Sequence, residues 1–446
     1  MRQKRDAVLC FEWSGASELK IVAAHRRKYK RISAILDKNP AVLDLADQDL
    51  RKLSQGGSKG RRADFTSENL LRALIVHTLE GEDLRGTIVR IAESPFLQDF
   101  LRLGDRRVMD FTFLDRAFGA IRPETWKRIN EALATDAVAT KRIDPSAIRV
   151  DTTVVETTIH YPTDSSLLWD SWRVLARLLR EGRELSPTLC PHRFHDGKVK
   201  KLYLRITRYA ASPAKARRRL VKSCWRELIA RVQWIVGIAE AFVTESRRRA
   251  DFAVQAVGAE MGRFLPSIRV VLSTSERANL KGETVPAAER VFSLFEPHTE
   301  LIQRGKARKP VEFGHVVMLS QTREKFISLY EVMEHRVSDS ALAEVCVDEH
   351  ERLFGEAPDG MTADKGFNPK AETRETLEER VGTLAIPRRL SDWGEKIGSL
   401  WQRFRAGIEG TISVLKRAYR GFKNFAASVG LSIFCHNLVL LARPSG

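Results

Sequence analysis

The sequence predicts an α/β protein in which helices flank a mixed sheet, with a helical N-terminal region and a large helical insertion after the first strand. Three observations predict this fold class. The segment Ala147–Thr158 is rich in β-branched residues and predicts a strand. From about Thr163 to Ile302 the apolar residues recur with helical spacing. Two short apolar runs, Val311–Leu319 and Phe326–Val332, then indicate an antiparallel hairpin.

Residues 1–142 are predicted to form a separate helical region, because apolar residues such as those of Leu70–Ile75 recur at helical spacing. The basic cluster Arg26, Arg27 and Lys28 lies on a predicted helix. Such a cluster either contacts DNA phosphates or is simply solvated. We expect this region to bind DNA or to mediate dimerisation.

The rest of the chain divides into three parts. Residues 143–162 hold the first part of the sheet core, 163–308 form the mainly helical insertion, and 309–446 hold the remainder of the core and the C-terminal helices. After the hairpin we expect a helix with Asp339 as its N-cap. The final elements are predicted in this order: a helix at Ala341–Leu353, short strands at Gly360–Phe367 and Gly382–Ile386, and helices at about Trp393–Arg420 and Ala426–Ala442.

The composition favours a polyanionic partner. The 446 residues include 75 lysines and arginines against 57 acidic residues, a formal net charge of +18. Nucleic acid is the leading candidate, although a solvated basic face or an acidic lipid surface would give a similar charge. The apolar run Ile229–Val243 is too short and too polar for a membrane span, and the five cysteines are widely spaced. We therefore expect a cytoplasmic protein with no membrane partner.

Three acidic residues occupy positions at which a metal site could form: Asp151 inside the first strand, Asp364 at the end of a later strand and Glu409 within a helix. Only a fold that places the two strands side by side could unite them. Carboxylate oxygens are the ligands that Mg²⁺ prefers. Two such ions, about 3.5–4 Å apart, can activate a water or 3′-hydroxyl and stabilise charge on both the attacking and leaving oxygens of a phosphodiester reaction.

The helix that carries Glu409 has a polar stripe beside an apolar one. At about 100° per residue, Arg405, Glu409 and Lys416 fall within roughly 40° of one another. The neighbouring apolar stripe should pack on the sheet, which places Glu409 at the margin of the core. The two cations there could hold DNA phosphates, Arg405 through a bidentate fork and Lys416 as a point charge.

These residues resemble a known family. The spacing Gln402-x2-Arg405-x3-Glu409-x6-Lys416 is similar to the Tyr-x2-Arg-x3-Glu-x6-Lys signature of insertion-sequence DDE transposases. Gln402 stands where that signature usually has Tyr, so a stacking role at this position is not carried over.

Two further segments carry the same resemblance. Ala363–Phe367 resembles the family's second-Asp motif, and Val150–Val155, continuing to His160–Ser165, resembles the first-Asp segment of the ISNCY-like branch. The three motifs occur in the family's order. The resemblance covers the chain from about Ala147 to its end, and the N-terminal region more loosely.

The resemblance implies an RNase H-like catalytic core, dependence on Mg²⁺ with Mn²⁺ able to substitute, and cleavage of transposon-end DNA followed by transfer of the 3′-OH strand to target DNA. The catalytic and metal-binding residues would be the three acids. Lys365, Arg388 and Arg389 join Arg405 and Lys416 as expected DNA contacts, although the two arginines could equally belong to a simple loop.

Two alternatives remain open at this stage. One is a catalytically silent DNA-binding relative that represses or organises DNA, and the other is a structure-specific nuclease on the same core. The expected partner in each case is double-stranded DNA, and the joining of two transposon ends would favour a homodimer on DNA. Whether the helical insertion guides DNA or only buttresses the fold is also open.

Overall fold

The computed structural model describes residues 2–6, 19–54, 64–157, 159–306, 309–333, 337–389, 391–392, 398–418 and 424–444. The chain forms two compact units. Unit 1 comprises Met1–Val155 and His315–Gly446, and unit 2 comprises Glu156–Gly314. Unit 2 corresponds to the predicted insertion, with slightly wider bounds.

Unit 1 begins with a group of helices. They are α1 (Lys20–Lys38), α2 (Pro40–Leu50), α3 (Ser67–Glu80), α4 (Leu84–Glu93), α5 (Pro95–Phe100), α6 (Phe111–Ala120) and α7 (Pro123–Ala139). A capping box formed by Thr66 and Asn69 fixes the start of α3, and Gly81, with φ of +69°, ends that helix in the left-handed conformation that glycine tolerates. The predicted helical character of this region is confirmed.

These helices share their core with the last helix of the chain, α15 (Phe425–Leu441). Trp126 of α7 packs 5.9 Å from Phe434, and Asn130 donates to the Gly430 carbonyl at 3.0 Å. The N-terminal helices therefore belong to the same compact unit as the C-terminal part of the chain. This differs from the separate region predicted for residues 1–142, because the period of the early helices does not reveal which later helix covers their apolar faces.

A six-stranded sheet is built from distant parts of the chain. Its strands are β1 (Ala147–Glu156), β2 (Glu300–Lys306), β3 (Lys309–Thr322), β4 (Ile327–Val332), β5 (Gly360–Thr362) and β6 (Thr383–Ala385). The hydrogen-bonded order is β2-β3-β1-β5-β6, and β4 pairs with the second half of β3. The β3–β4 hairpin is antiparallel, whereas β1, β5 and β6 run parallel. The predicted mixed α/β sheet is thus confirmed, with β2 as an additional strand.

Three more helices in unit 1 follow the hairpin: α12 (Asp339–Phe354), α13 (Ala371–Arg380) and α14 (Ser399–Ala418). The helix α14 places Ile408 and Leu415 among apolar side chains of the sheet and α15, including Val317 and Leu319. The apolar stripe predicted for this helix packs on the sheet through Ile408, Ile412 and Leu415, whereas Leu400, predicted to belong to it, is 77% exposed. Of the predicted Trp393–Arg420 helix, residues 393–397 and 419–420 lie outside the described part.

Unit 2 is dominated by four helices, α8 (Asp164–Leu185), α9 (Asp196–Tyr209), α10 (Lys215–Ser246) and α11 (Phe252–Glu276), which bury a common apolar core. The amide of Thr157 donates to the Phe313 carbonyl at 3.1 Å, so the chain begins and ends this unit at neighbouring positions. Along the described ranges, no helix of the protein combines the length and apolar composition needed to cross a bilayer.

Candidate functional site

The parallel pairing of β1 with β5 brings two of the predicted acids to one edge of the sheet. In this register Arg149 lies opposite Thr362. Asp151 lies two residues beyond Arg149, and Asp364 lies two residues beyond Thr362. Because the strands are parallel neighbours, Asp151, in the middle of β1, lies beside the point where β5 has ended and Asp364 follows it. The side-by-side placement required by the sequence-based hypothesis is confirmed for these two residues.

Asp151 has an unusual electrostatic environment. Burial raises the pKa of its carboxyl group, the negative charge of Asp364 raises it further, and together with a smaller effect of Asp339 they bring it to about 6. The amide of Thr152 donates to Asp151 Oδ1 at 2.8 Å, and this bond and the positive charge of Arg405 act in the opposite direction. Asp151 therefore lies near both another carboxylate and a guanidinium group.

Asp364 follows β5 and caps a short 3₁₀ turn. Its Oδ1 accepts a hydrogen bond from the amide of Gly366 at 2.8 Å. A side chain at position 366 would meet Asp364 Oδ1 at 3.0 Å and Asp339 Oδ2 at 3.3 Å, so the glycine allows two acidic side chains to approach the same turn. Sequence reasoning predicted a strand through Phe367, but the strand ends at Thr362.

Asp339 is a third acid at this edge, and sequence reasoning gave it a different role. The prediction that Asp339 is the N-cap of the following helix is wrong, because the helix begins at Asp339 itself and Ser338 precedes it. The Asp339 carboxylate instead accepts a hydrogen bond from Thr152 Oγ1 at 3.1 Å. An acid at a helix start has the same local pattern in both roles, so only the contact with β1 distinguishes them.

Glu409 is paired with Arg405, and no described contact joins it to Asp151 or Asp364. Both residues lie on α14, and Arg405 Nη2 contacts Glu409 Oε1 at 3.1 Å. The Glu409 side chain is 64% exposed and that of Arg405 24%. The positive charge of Arg405 also lowers the pKa of Asp151, so this guanidinium group interacts with both the helix acid and Asp151. Among the described residues, no three His, Cys, Asp or Glu side chains are close enough together to enclose one metal ion.

A buried arginine fixes α14 against the sheet. Arg149, on the same face of β1 as Asp151, donates through Nη1 to the Phe404 carbonyl at 2.8 Å and through Nε to Gln321 at 2.7 Å. Its guanidinium group also lies 4.9 Å from the centre of the Phe404 ring. Burial lowers the pKa of Arg149 to about 10. The side-chain amide of Gln321 continues the network by donating to Thr411 Oγ1 of α14 at 2.8 Å.

This network sets the position of Arg405 and Glu409 relative to Asp151. Sequence reasoning missed Arg149. The signal was present, since an arginine two positions before Asp151 in a β-branched strand points to the same face and must be partnered if it is buried.

Several predicted DNA contacts are exposed near these elements. Lys365 directly follows Asp364 and is exposed, as is Lys416 on α14. Arg388 and Arg389 follow β6 in a turn, where their backbone amides donate to Asp392 at 2.8 and 2.7 Å and their side chains are exposed. Their contact with DNA stays a prediction.

The N-terminal basic cluster is partly engaged within unit 1. The guanidinium group of Arg26 lies 5.9 Å from the Phe96 ring centre, and the Lys28 ammonium group lies 5.0 Å from that of Tyr29. Burial lowers the pKa of Lys28. Arg27 is exposed. A role of these three residues in DNA contact also stays a prediction.

Comparison with protein-family models, with curated proteins and with solved structures gave no match for this chain.

Proposed function

We propose that this protein is a Mg²⁺-dependent DDE transposase that cleaves transposon-end DNA and transfers the 3′-OH strand to target DNA. The observation that carries the proposal is the parallel register of β1 and β5, which puts Asp151 and Asp364 at one sheet edge. After β1 and unit 2, the chain order of hairpin (β3–β4), helix (α12), strand (β5), helix (α13), strand (β6) and helix (α14) supports an RNase H-like core for unit 1. The motif resemblance around the same acids supports the chemistry.

The acids at this edge suit a divalent cation. Two neighbouring carboxylates, one with a pKa raised to about 6, repel each other, and a cation beside them would relieve that repulsion. Their hard oxygens match Mg²⁺, and Mn²⁺ should substitute. Asp151 and Asp364 would hold the metal, with Glu409 completing the set. When bound, a pair of such ions supplies the activated nucleophile and the stabilisation of developing charge.

The remaining side chains would position the DNA. The side chain of Glu409 is largely exposed and has three rotatable bonds. Its carboxylate would therefore be able to leave Arg405 and turn towards Asp151 and Asp364. Arg405 would then be able to make a bidentate contact with a phosphate of the DNA end, with Lys416 about three turns further along α14. Asp339, bonded to Thr152, would hold the middle of β1 against the turn that carries Asp364.

The test uses the full chain and a supercoiled plasmid that carries its coding sequence with the flanking DNA. We expect nicking and joining with Mg²⁺ or Mn²⁺, and none with Ca²⁺. The variants Asp151→Asn, Asp364→Asn and Glu409→Gln should retain DNA binding and lose cleavage by at least a hundredfold, since each removes a ligand charge. Glu156→Gln is the matched control, because this exposed acid ends the same strand on its other face.

Metal binding supplies a second readout. Titration with Mn²⁺ followed by electron paramagnetic resonance should show weaker binding for the three variants than for Glu156→Gln. Normal cleavage by any of the three would remove that residue from the site. Cleavage without joining would favour the nuclease alternative, and DNA binding without cleavage under all metal conditions would favour the silent relative. Sedimentation of the protein with DNA ends tests the expected dimer.

A further inference from the structure

Unit 2 carries a dense basic surface on two consecutive helices. Between Asp196 and Arg226 the chain has eleven lysines and arginines and a single acidic residue, Asp196. All eleven cations are exposed. We call this surface the α9–α10 basic face, and it comprises Lys198, Lys200, Lys201, Arg205, Arg208, Lys215, Arg217, Arg218, Arg219, Lys222 and Arg226.

The cations of this face lack the acidic partners that many other cations of unit 2 have. Within the described residues, none of the eleven forms a salt bridge with a carboxylate, and Asp196 itself is bound by Arg180 at 2.8 Å. Several arginines elsewhere in unit 2 are paired with acids, such as Arg231 with Glu227 at 2.8 Å and Arg269 with Glu240 at 2.6 Å. Uncompensated positive charge on this scale repels itself, and a polyanion would relieve that repulsion.

Helix geometry aligns these charges. Lys198, Lys201, Arg205 and Arg208 are spaced three or four residues apart, so they share one side of α9. The same spacing aligns Lys215, Arg219, Lys222 and Arg226 on α10. At a rise of about 1.5 Å per residue each row extends roughly 15 Å, or about four base-pair steps of DNA. Two such rows can follow phosphates over part of a turn of duplex.

A groove of about 350 Å³ adjoins the face and indicates which form of nucleic acid fits. It is lined by cations such as Arg218 and Lys222 and by the aromatic residues Tyr209 and Trp225. The Arg217 guanidinium group lies over the Tyr209 ring at 5.2 Å, and Trp225 is buried. Because Trp225 is buried and Arg217 covers one face of the half-buried Tyr209 ring, little aromatic surface is left to stack on unpaired bases, and the surface favours contact with phosphates of a duplex over binding of single strands.

We propose that the α9–α10 basic face binds the phosphate backbone of double-stranded DNA without sequence preference. The choice of DNA as the polyanion rests on the proposed function, whereas the charge and exposure of the face do not. This assigns the insertion a DNA-holding role separate from the acidic site.

The experiment measures binding of the full chain to a fluorescently labelled random 30-bp duplex, in EDTA and over a series of KCl concentrations. The test variant combines Lys201→Gln, Arg205→Gln, Lys222→Gln and Arg226→Gln. Counterion release predicts that losing four phosphate contacts reduces the slope of log K against log [KCl] by about 3 to 4 and weakens binding more than tenfold near 0.1 M salt.

A matched control removes the same charge from the same unit. It combines four substitutions of arginines that are paired with acids: Arg231→Gln, Arg248→Gln, Arg263→Gln and Arg269→Gln. The control should keep the wild-type slope. Circular dichroism of both variants must match the wild type.

Equal losses in the two variants would mean that only net charge matters and would overturn the proposal, as would an unchanged slope in the test variant. The same outcome follows if the substitutions abolish binding to structured RNA or to phosphatidylglycerol vesicles but leave duplex binding intact. Binding is measured in EDTA and does not depend on cleavage. If the α9–α10 basic face binds DNA but the protein does not cleave DNA under any metal condition, only the transposase proposal is refuted. Active cleavage with an unchanged slope would refute only this inference.

Discussion

Gly407 and Gly410 of α14 should respond in opposite ways to the same substitution. A Cβ at Gly407 would overlap Arg149 Nη1 and lie 2.9 Å from its Cζ, whereas a Cβ at Gly410 would have no atom within 4 Å. Gly407→Ala must therefore displace a buried guanidinium group. Gly410→Ala only replaces glycine by a better helix former.

The size of the effect follows from the bonds that Arg149 would lose. Its contacts with the Phe404 carbonyl at 2.8 Å and with Gln321 at 2.7 Å are hydrogen bonds from a charged donor, each contributing about 1.5 to 3 kcal/mol. The alanine returns about 1 kcal/mol of helix propensity. We expect Gly407→Ala to lower the free energy of unfolding by about 2 to 5 kcal/mol, and Gly410→Ala to raise it by up to about 1 kcal/mol.

Urea unfolding followed by circular dichroism and tryptophan fluorescence measures both variants. Equal midpoints for Gly407→Ala and Gly410→Ala would refute the role assigned to Arg149. The double variant Arg149→Met with Gly407→Ala adds a further check, because a shorter apolar side chain removes the overlap. Its destabilisation should be smaller than the sum of the two single effects, and strict additivity would also contradict the reasoning.

Two other predictions concern the core of each unit. In unit 2 a Cβ at Gly182 would overlap the buried ring of Phe242, so Gly182→Ala should lower the free energy of unfolding by about 1 to 3 kcal/mol. A Cβ at Gly237 would meet nothing within 4 Å, so Gly237→Ala is the control and should not destabilise the protein. Equal thermal midpoints for the two variants would contradict this prediction. In unit 1 burial lowers the pKa of His350 from 6.5 to about 4, so the unfolded chain takes up the proton first as the pH falls. The free energy of unfolding should therefore decrease by roughly 3 kcal/mol as the pH falls from about 6.5 to 4. When this free energy is measured by urea unfolding at each pH, His350→Leu should show a smaller decrease over the same range. Parallel pH curves for the variant and the wild type would exclude the assignment.

Patterns within a short window predicted much of unit 1. The β-branched run of β1, the β3–β4 hairpin and the apolar stripe of α14 were all visible in the sequence, because each depends on spacing over a few residues. The same patterns placed Asp151 and Asp364 at strand positions. Their proximity needed one more fact, the parallel pairing of β1 with β5, which the structure supplies.

Long-range contacts limited the rest. Asp339 looked like a helix cap because its bond to Thr152 of β1 leaves no local trace. Helix α9 was predicted only as part of the helical insertion and not as a separate helix. Its cations outnumber its buried residues, which are Val199, Leu202 and Ile206. The strand β2 carries the charged residues Glu300 and Lys306 at its ends, and its pairing with β3 is set by partners that follow it in the chain.

The hydrogen bond between Thr157 and Phe313 has a consequence for how this protein could have arisen. Adjacent strands lie roughly 5 Å apart, so the first and last residues of unit 2 are close together in space. A gene segment that encodes a unit with neighbouring ends can be acquired, exchanged or lost in a single recombination event without changing the path of β1 or β3. Homologues with a short turn at this place, or with a different inserted domain, could then keep the same pair of acids on β1 and after β5.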